Sequence, residues 1–284
     1  MIKMGFFVGF IIFLVAGFIF FARWQTFHIS KVSVLGALNE AHAQSLIQSV
    51  EEILNEHYAF FIPKRNTLWY PKKVIEKRIL TKNPQIKEVT VKRNARKELV
   101  LSVILREPFA LWCDFENMSE HSQDTIESNV SVTTKEECFY IDMNGVVYAP
   151  APEFDEQVYV RYGGLLSSEH ILGVTFIEEK ELQALSAFLE FLKQKGYSAT
   201  RVFIHRDTGD MHITLSKGTE LRMKRGEDSL AILEVLETVL SSEAFENIRV
   251  EDIEYIDFRF GNRVYYKKKT NDKEGAYFEK KNER

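Results

Sequence analysis

An uncharged run near the start of the chain limits its folding options more than any other feature. Met4–Ala22 holds 19 residues without a charge, bracketed by Lys3 and Arg23. At ~1.5 Å rise per residue a helix of that length spans about 28 Å, close to the thickness of a bilayer's hydrocarbon core. The sequence therefore predicts a transmembrane helix at residues 4–23, preceded by a short cytoplasmic leader of residues 1–3.

The alternative interpretation of this run is a cleaved signal peptide. Such a peptide has an apolar region of about 7–15 residues followed by small residues at the cleavage site. Here the run is longer and ends in Phe20, Phe21 and Ala22, without a small-x-small pair. We therefore expect an uncleaved, single-pass anchor in a lipid bilayer. A three-residue leader is too short to be a working domain, so the long remainder is placed outside the cytoplasm.

Charge and cysteine content narrow the possible partners and the compartment. The net charge is −4, so a nucleic-acid partner is not expected. Cys113 and Cys138 flank a polar stretch, and outside the cytoplasm such a pair can persist as a disulfide. Closing a loop of about 25 residues would contribute roughly 3 kcal/mol in the chain-entropy model. Two unrelated buried thiols are the alternative.

Apolar periodicity after the anchor predicts a small mixed domain. Phe27–Leu35 alternates with period two, which predicts a strand. Asn39 is suited to cap a helix, and apolar residues follow it at spacings of three and four. A second helix is predicted to begin at Pro71, and two strands follow Asn83–Pro84. The order β-α-α-β-β therefore covers residues 27–107.

Residues 108–268 show mostly strand-like patterns interrupted by two helices. The two predicted helices are Glu178–Lys195 and Glu227–Leu240. The final pair of predicted strands is Glu254–Phe260 and Arg263–Lys268. Residues 269–284 are nearly all charged or polar, and we expect a flexible tail there. The expected fold class is thus α+β, with an N-terminal transmembrane helix, a β-α-α-β-β domain, and a mostly antiparallel β domain with two helices.

Several short motifs occur in the order typical of one bacterial family. They are Val32-x-Val34-x-Gly36, Pro84-x-Ile86-x-x-Val89-x-Val91-x-Arg93, Leu105-Arg106-Glu107-Pro108-Phe109-Ala110-Leu111-Trp112, Tyr140-Ile141-Asp142-x-x-Gly145-Val146 and Tyr255-Ile256-Asp257-Phe258-Arg259-Phe260. The β-α-α-β-β unit directly after one anchor resembles a POTRA domain. Together these features make the chain similar to the bacterial cell-division family FtsQ/DivIB.

The resemblance implies a non-enzymatic function without a cofactor. Proteins of this family sit at the division septum in the bacterial cytoplasmic (inner) membrane, with the POTRA domain and the β domain in the periplasm. They hold the division proteins FtsB and FtsL and link early divisome members to septal peptidoglycan synthesis. The sequence also contains no Gly-rich phosphate loop, no GxSxG elbow and no HExxH motif.

The last predicted strand is the expected partner-binding element. The resemblance implies that an FtsB-type partner pairs with it by β-strand addition, and by position it implicates Arg259, Phe260, Val264 and Tyr266. Independently, the last strand of a sheet exposes unpaired backbone groups that can receive another strand. Tyr265 is also of a residue type enriched at interfaces. The alternative is an internal strand whose tyrosines belong to the core.

A predicted hairpin contains a weak candidate for a metal site. A two-residue turn at Thr208-Gly209 would place His205, Asp207, Asp210 and His212 on one face. Two imidazoles and two carboxylates can bind zinc. The same residues are also consistent with a pH-sensitive patch, and a solvated face of the hairpin is the simpler interpretation.

Two further functions remain open at this point. The first is a POTRA-containing, membrane-anchored transport or assembly component, although such proteins usually repeat the module or feed a β-barrel. The second is an anchored extracytoplasmic metalloenzyme that uses the hairpin with His205 and His212.

Overall fold

The chain forms two compact units in a computed structural model. They comprise Met1–Arg106 and Glu107–Arg284. The residues described by the structure are 10–14, 17, 20, 28–58, 62–94, 97–114, 136–153, 158–166, 170–227, 229–242, 245, 248–261, 263–269 and 276–279.

The expected fold class, α+β with an N-terminal transmembrane helix, is wrong. The described residues are mostly β, with one large sheet and few helices. Within the uncharged run, residues 10–14, 17 and 20 are helical. Among the described residues, no helix is both long enough and apolar enough to cross a membrane. The prediction rested on hydropathy and length alone, and the other residues of 4–23 lie outside the described part of the chain.

From residue 28 onward, the described part of the first unit contains a three-stranded sheet and two helices. Its elements are β1 (Lys31–Leu35), α1 (Glu40–Leu54), β2 (His57–Tyr58), β3 (Ile62–Pro63), α2 (Lys72–Lys82), β4 (Ile86–Asn94) and β5 (Glu98–Leu105). The strand order is β1-β5-β4, with β1 parallel and β4 antiparallel to β5. β2 and β3 form a separate short ribbon.

Helix α1 begins where the sequence places a capping residue. The Asn39 side chain accepts a hydrogen bond from the His42 backbone N–H at 2.8 Å, which satisfies one of the free donors of the first turn. Leu46, Val50 and Ile53 on one side of the helix are buried in the core of this unit. The apolar stripe that predicted the helix is therefore the surface that it buries.

The second unit is built on a ten-stranded sheet. Its elements are β6 (Ala110–Cys113), β7 (Cys138–Ile141), β8 (Val147–Pro150), β9 (Arg161–Gly164), α3 (Glu179–Gln194), β10 (Ala199–Ile204), β11 (Asp210–Leu215), β12 (Glu220–Lys224), α4 (Ser229–Leu240), β13 (Ile253–Phe260), β14 (Arg263–Lys268) and β15 (Ala276–Glu279). The order across the sheet is β15-β14-β13-β12-β11-β10-β9-β6-β7-β8.

The sheet is mixed, and helices connect the strands in two of its three parallel pairs. The pairs β6–β9, β9–β10 and β12–β13 are parallel, and the other neighbours are antiparallel. A parallel pair needs a long crossover connection, which is usually helical. Here α3 connects β9 to β10, and α4 connects β12 to β13.

Alternation along the strands gives the sheet one apolar face and one polar face. In β11, Met211, Ile213 and Leu215 are buried, whereas the residues between them are half-buried. The buried side joins Leu182, Leu185 and Phe188 of α3 and Leu236 and Val239 of α4 in one core. The opposite side, which carries His205, Asp210, His212, Arg222 and Arg259, is called the polar face below.

A disulfide joins Cys113 of β6 to Cys138 of β7. The two residues are directly opposite each other in the antiparallel register, and their Cα atoms are 4.1 Å apart. The cross-link therefore closes the base of the connection between these two strands.

Candidate partner-binding edge

Strand β13 ends in a bulge that is held by Arg259. The register shifts between Asp257 and Phe260, which marks an irregularity in the pairing with β14. Arg259 Nε donates to Asp257 Oδ1 at 2.9 Å and its Nη2 donates to Oδ2 at 2.6 Å. Its Nη1 also donates to Asp210 on β11. Arg259 therefore stabilises the bulge at the end of β13 and links that strand to β11, two positions away in the sheet.

The Asp257 carboxyl is held in its charged form in spite of burial. Its residue is only 4% exposed. Burial raises the pKa of Asp257, but hydrogen bonds from the Arg259 side chain and backbone outweigh that effect and leave the pKa below its usual value. The backbone N–H of Arg259 donates to Asp257 Oδ1 at 3.1 Å. The carboxylate is therefore an internal anchor for the bulge.

Two aromatic rings mark the surface beside this anchor. The Phe260 residue is 54% exposed, and its ring meets the half-buried Tyr265 ring edge-on at 5.0 Å between centroids. The guanidinium of Arg259 lies 5.8 Å from the Phe260 centroid. Exposed aromatic side chains next to arginine are typical of interface residues. Of the expected partner-binding residues, Phe260 and Tyr265 therefore present side chains at the surface.

The other two expected partner-binding residues on β14 lie in the core. Val264 is 2% exposed and Tyr266 is 7% exposed. The Tyr266 ring packs against Phe245 at 4.5 Å between centroids. Their side chains belong to the apolar core of the second unit, so at these two positions only the backbone is presented along the edge.

That edge is already paired in this structure. β15 runs antiparallel to β14, with Arg263 opposite Glu279, Val264 opposite Phe278, Tyr265 opposite Tyr277 and Tyr266 opposite Ala276. The expectation of a free edge after β14 is therefore wrong from Arg263 to Tyr266. The sequence prediction missed β15 because it treated residues 269–284 as one charged tail. The short run Ala276-Tyr277-Phe278 was the available signal.

The predicted hairpin of the metal candidate forms, but in a different register. Phe203 faces His212, and the His205 backbone N–H donates to the Asp210 carbonyl at 2.8 Å. The connection therefore contains residues 206–209 rather than a two-residue turn. Within this connection the Gly209 N–H donates to the His205 carbonyl at 3.1 Å. This hydrogen bond forms an α-turn, a single helical turn, in place of the predicted two-residue turn.

The four metal candidates do not converge on one point. His205 and His212 remain on the same face, with ring centroids 4.5 Å apart. Asp207 lies exposed in the connection, and Asp210 is paired with Arg259. Among the described residues, one group of three has side-chain atoms close enough together to hold a metal ion: Cys113, Glu136 and Cys138. The sulfurs of its two cysteines are bonded to each other in the disulfide.

The environment of His212 on the polar face lowers the pKa of its imidazole. Burial lowers its pKa most strongly, Glu220 opposes that effect, and His205, Arg222 and Arg259 lower it further. Its Nδ1 lies 3.6 Å from Glu220 Oε1 and 3.4 Å from His205 Nε2. The net shift is downward, so the folded protein favours the neutral imidazole.

Comparison with known proteins adds no assignment. Neither a protein-family model nor a curated protein matches the chain.

Proposed function

We propose that this chain is a non-enzymatic bacterial divisome scaffold of the FtsQ/DivIB kind, which binds FtsB/FtsL-type partners by β-strand addition at β14. One observation carries the proposal: the outer edge of β14 pairs along Arg263–Tyr266 with the chain's own β15, so this edge is able to take an antiparallel strand. In strand addition, main-chain hydrogen bonds supply affinity and neighbouring side chains supply selectivity. Phe260 and Tyr265 are placed to provide that selectivity.

Rigidity of the binding strand supports the proposal. Val264 and Tyr266 fix β14 on the core, and the Arg259 anchor fixes the end of β13 beside it. A strand held in this way is ordered before a partner arrives, so little conformational entropy is lost by the receiving side on binding. This order supports recognition of a partner strand at the edge of β14.

The cross-linked cysteines support an extracytoplasmic location. Disulfides persist in the periplasm and outside the cell, and they are rare in the reducing cytosol. We propose on this ground that the Cys113–Cys138 bond forms in the periplasm. At the division septum the scaffold would connect early divisome members to septal peptidoglycan synthesis.

The first unit is consistent with the same assignment. Its element order is β-α-α-β-β if the short β2–β3 ribbon is set aside, with two helices and a three-stranded sheet. This order of elements is the one that resembles a POTRA domain. We propose that this unit meets other divisome members, while the edge of β14 holds the FtsB-type protein.

The proposal is tested by replacing the exposed aromatic side chain of Phe260 with a negatively charged one. Phe260→Glu in the full chain is expected to reduce co-purification of a co-expressed FtsB/FtsL-type pair at least tenfold, about the effect of losing one interface hot spot. The melting temperature should stay close to the wild-type value because Phe260 is 54% exposed.

Met143→Glu is the matched control, since Met143 is 58% exposed in the turn between β7 and β8. It should leave co-purification unchanged. Equal capture of the partner pair by wild-type and Phe260→Glu chains, with both folded, would count against docking at this edge.

A further inference from the structure

We infer that β15 occupies the position on β14 that the partner's strand would take. The partner and β15 therefore compete for the outer edge of β14. The inference deepens the proposed function and rests on it. It starts from the register, in which β15 occupies the outer edge of β14 over four consecutive residue pairs. Because a strand edge has one row of free N–H and C=O groups, two strands cannot pair with it at once.

The register also specifies the kind of segment that the edge takes. Read along β15, a small residue lies opposite Tyr266, aromatic residues lie opposite Tyr265 and Val264, and an acidic residue lies opposite Arg263. The fitting partner is therefore an extended segment that runs antiparallel to β14 and carries the order small, aromatic, aromatic, acidic.

The size of β15 makes it replaceable. It contains four residues, at the low end for strands in folded proteins. Its removal would leave the pairing of β14 with β13 and the packing of Val264 and Tyr266 in place. The rest of the sheet therefore does not depend on which strand occupies its last position.

Tethering explains how so short a strand competes. Six residues of sequence, 270–275, separate it from Lys269, which directly follows β14, and tethering over so short a distance gives effective concentrations on the order of 1 mM. If the same segment bound as a free peptide with a Kd of about 100 µM, the tethered copy would be favoured about tenfold. It would then weaken an incoming strand's apparent affinity by about the same factor.

The experiment uses a labelled peptide of residues 270–284 as the probe and the full chain as the receptor. Tyr277→Pro combined with Phe278→Pro removes two successive backbone N–H groups, one of which points toward β14 whichever way the strand is phased. By fluorescence anisotropy, this variant should bind the peptide about tenfold more tightly than the wild-type chain. Lys281→Pro combined with Asn282→Pro is the matched control beyond β15, and it should behave as the wild type.

Equal affinity of the wild type and the Tyr277→Pro, Phe278→Pro variant for the peptide would overturn the inference. Binding by neither chain would overturn it as well, because the edge would then not accept this segment as a separate molecule. A shift in the Lys281→Pro, Asn282→Pro control equal to that of the test variant would have the same consequence.

Capture of an FtsB/FtsL-type pair separates this inference from the proposed function. The Tyr277→Pro, Phe278→Pro variant should capture about tenfold more of a limiting partner than the wild type. Equal capture by both chains would leave the proposed function standing and overturn the competition. If neither chain captures the partner pair while the peptide result is as expected, the proposed function is contradicted. In that case β15 pairs with β14 within the chain but does not compete with such a partner.

Discussion

Arg259 and Asp257 determine the local geometry at the end of β13. A nearly buried carboxylate is stable only with donors around it, and Arg259 provides three of them through its side chain and backbone. The neighbouring Phe260 is exposed because the bulge turns the chain at this point. The charged pair thus has a structural role that also positions an aromatic surface residue.

Replacing Arg259 by alanine should destabilise the second unit by roughly 2–3 kcal/mol at pH 7, since Asp257 would remain buried without its donors. The folded pKa of Asp257 is depressed, so its contribution is full above the unfolded value near 3.9 and is lost as the pH falls through the folded pKa. The penalty for Arg259→Ala should therefore shrink below about pH 4.

Urea unfolding at pH 7 and pH 3 measures that penalty. Arg249→Ala is the matched control, because the Arg249 side chain is 73% exposed and solvent screens its ion pairs, so its loss should leave the unfolding free energy nearly unchanged. A penalty for Arg259→Ala that is equally large at both pH values would refute the assigned role of the Asp257 charge.

His212 should make the protein less stable in mild acid. Its folded pKa is lowered chiefly by burial, so its neutral form stabilises the fold fully above the unfolded value near 6.5, and that contribution falls as the pH drops through the folded pKa. Replacing it with glutamine should reduce the loss of unfolding free energy between pH 7.5 and pH 5. His170→Asn, at an exposed position, is the control. An unchanged pH dependence in His212→Gln would show that other groups cause it.

Elements were predictable where a local pattern determines them. Asn39 and the apolar spacing after it correctly predicted α1, and the final strand Arg263–Lys268 has the expected bounds. Strand neighbours were not predictable in the same way, because a period of two indicates a strand but not which strand lies beside it. The parallel pairs and the pairing of β15 with β14 depend on such long-range contacts.

The hairpin of β10 and β11 illustrates the same limit. The residue types correctly indicated two strands with a turn between them, and both histidines lie on one face. The loop length was wrong by two residues, which removed Asp207 from the cluster. Register depends on turn geometry, and several turn types suit a Thr-Gly sequence.

The cross-link between β6 and β7 has a measurable stability effect. Cys138→Ser should lower the unfolding free energy by roughly 3 kcal/mol in oxidising buffer, since a loop spanning 25 positions is no longer closed in the unfolded chain. Reduction of the wild type should lower it by a similar amount. Adding Cys113→Ser to Cys138→Ser should cost little more. Unfolding midpoints that are identical for the wild type and Cys138→Ser would argue against a bond in the folded protein.

For the whole molecule, local sequence patterns were a weaker guide. The uncharged run at the N-terminus suggested a membrane span, but no helix among the described residues is long and apolar enough to cross a membrane. The change of pattern near Pro108 was a local signal, and along the chain the first unit ends at Arg106 and the second begins at Glu107. The candidate edge was located from its last strand, but its occupancy by β15 was visible only in the folded chain.

The central claim is that a partner strand pairs with the outer edge of β14. The most direct test is an isotope-filtered NMR measurement on the labelled full chain with an unlabelled extracytoplasmic segment of an FtsB-type protein. The account predicts antiparallel backbone contacts between that segment and Val264–Tyr266, with simultaneous loss of the β14–β15 contacts. A bound segment that leaves the contacts between β14 and β15 intact would contradict it.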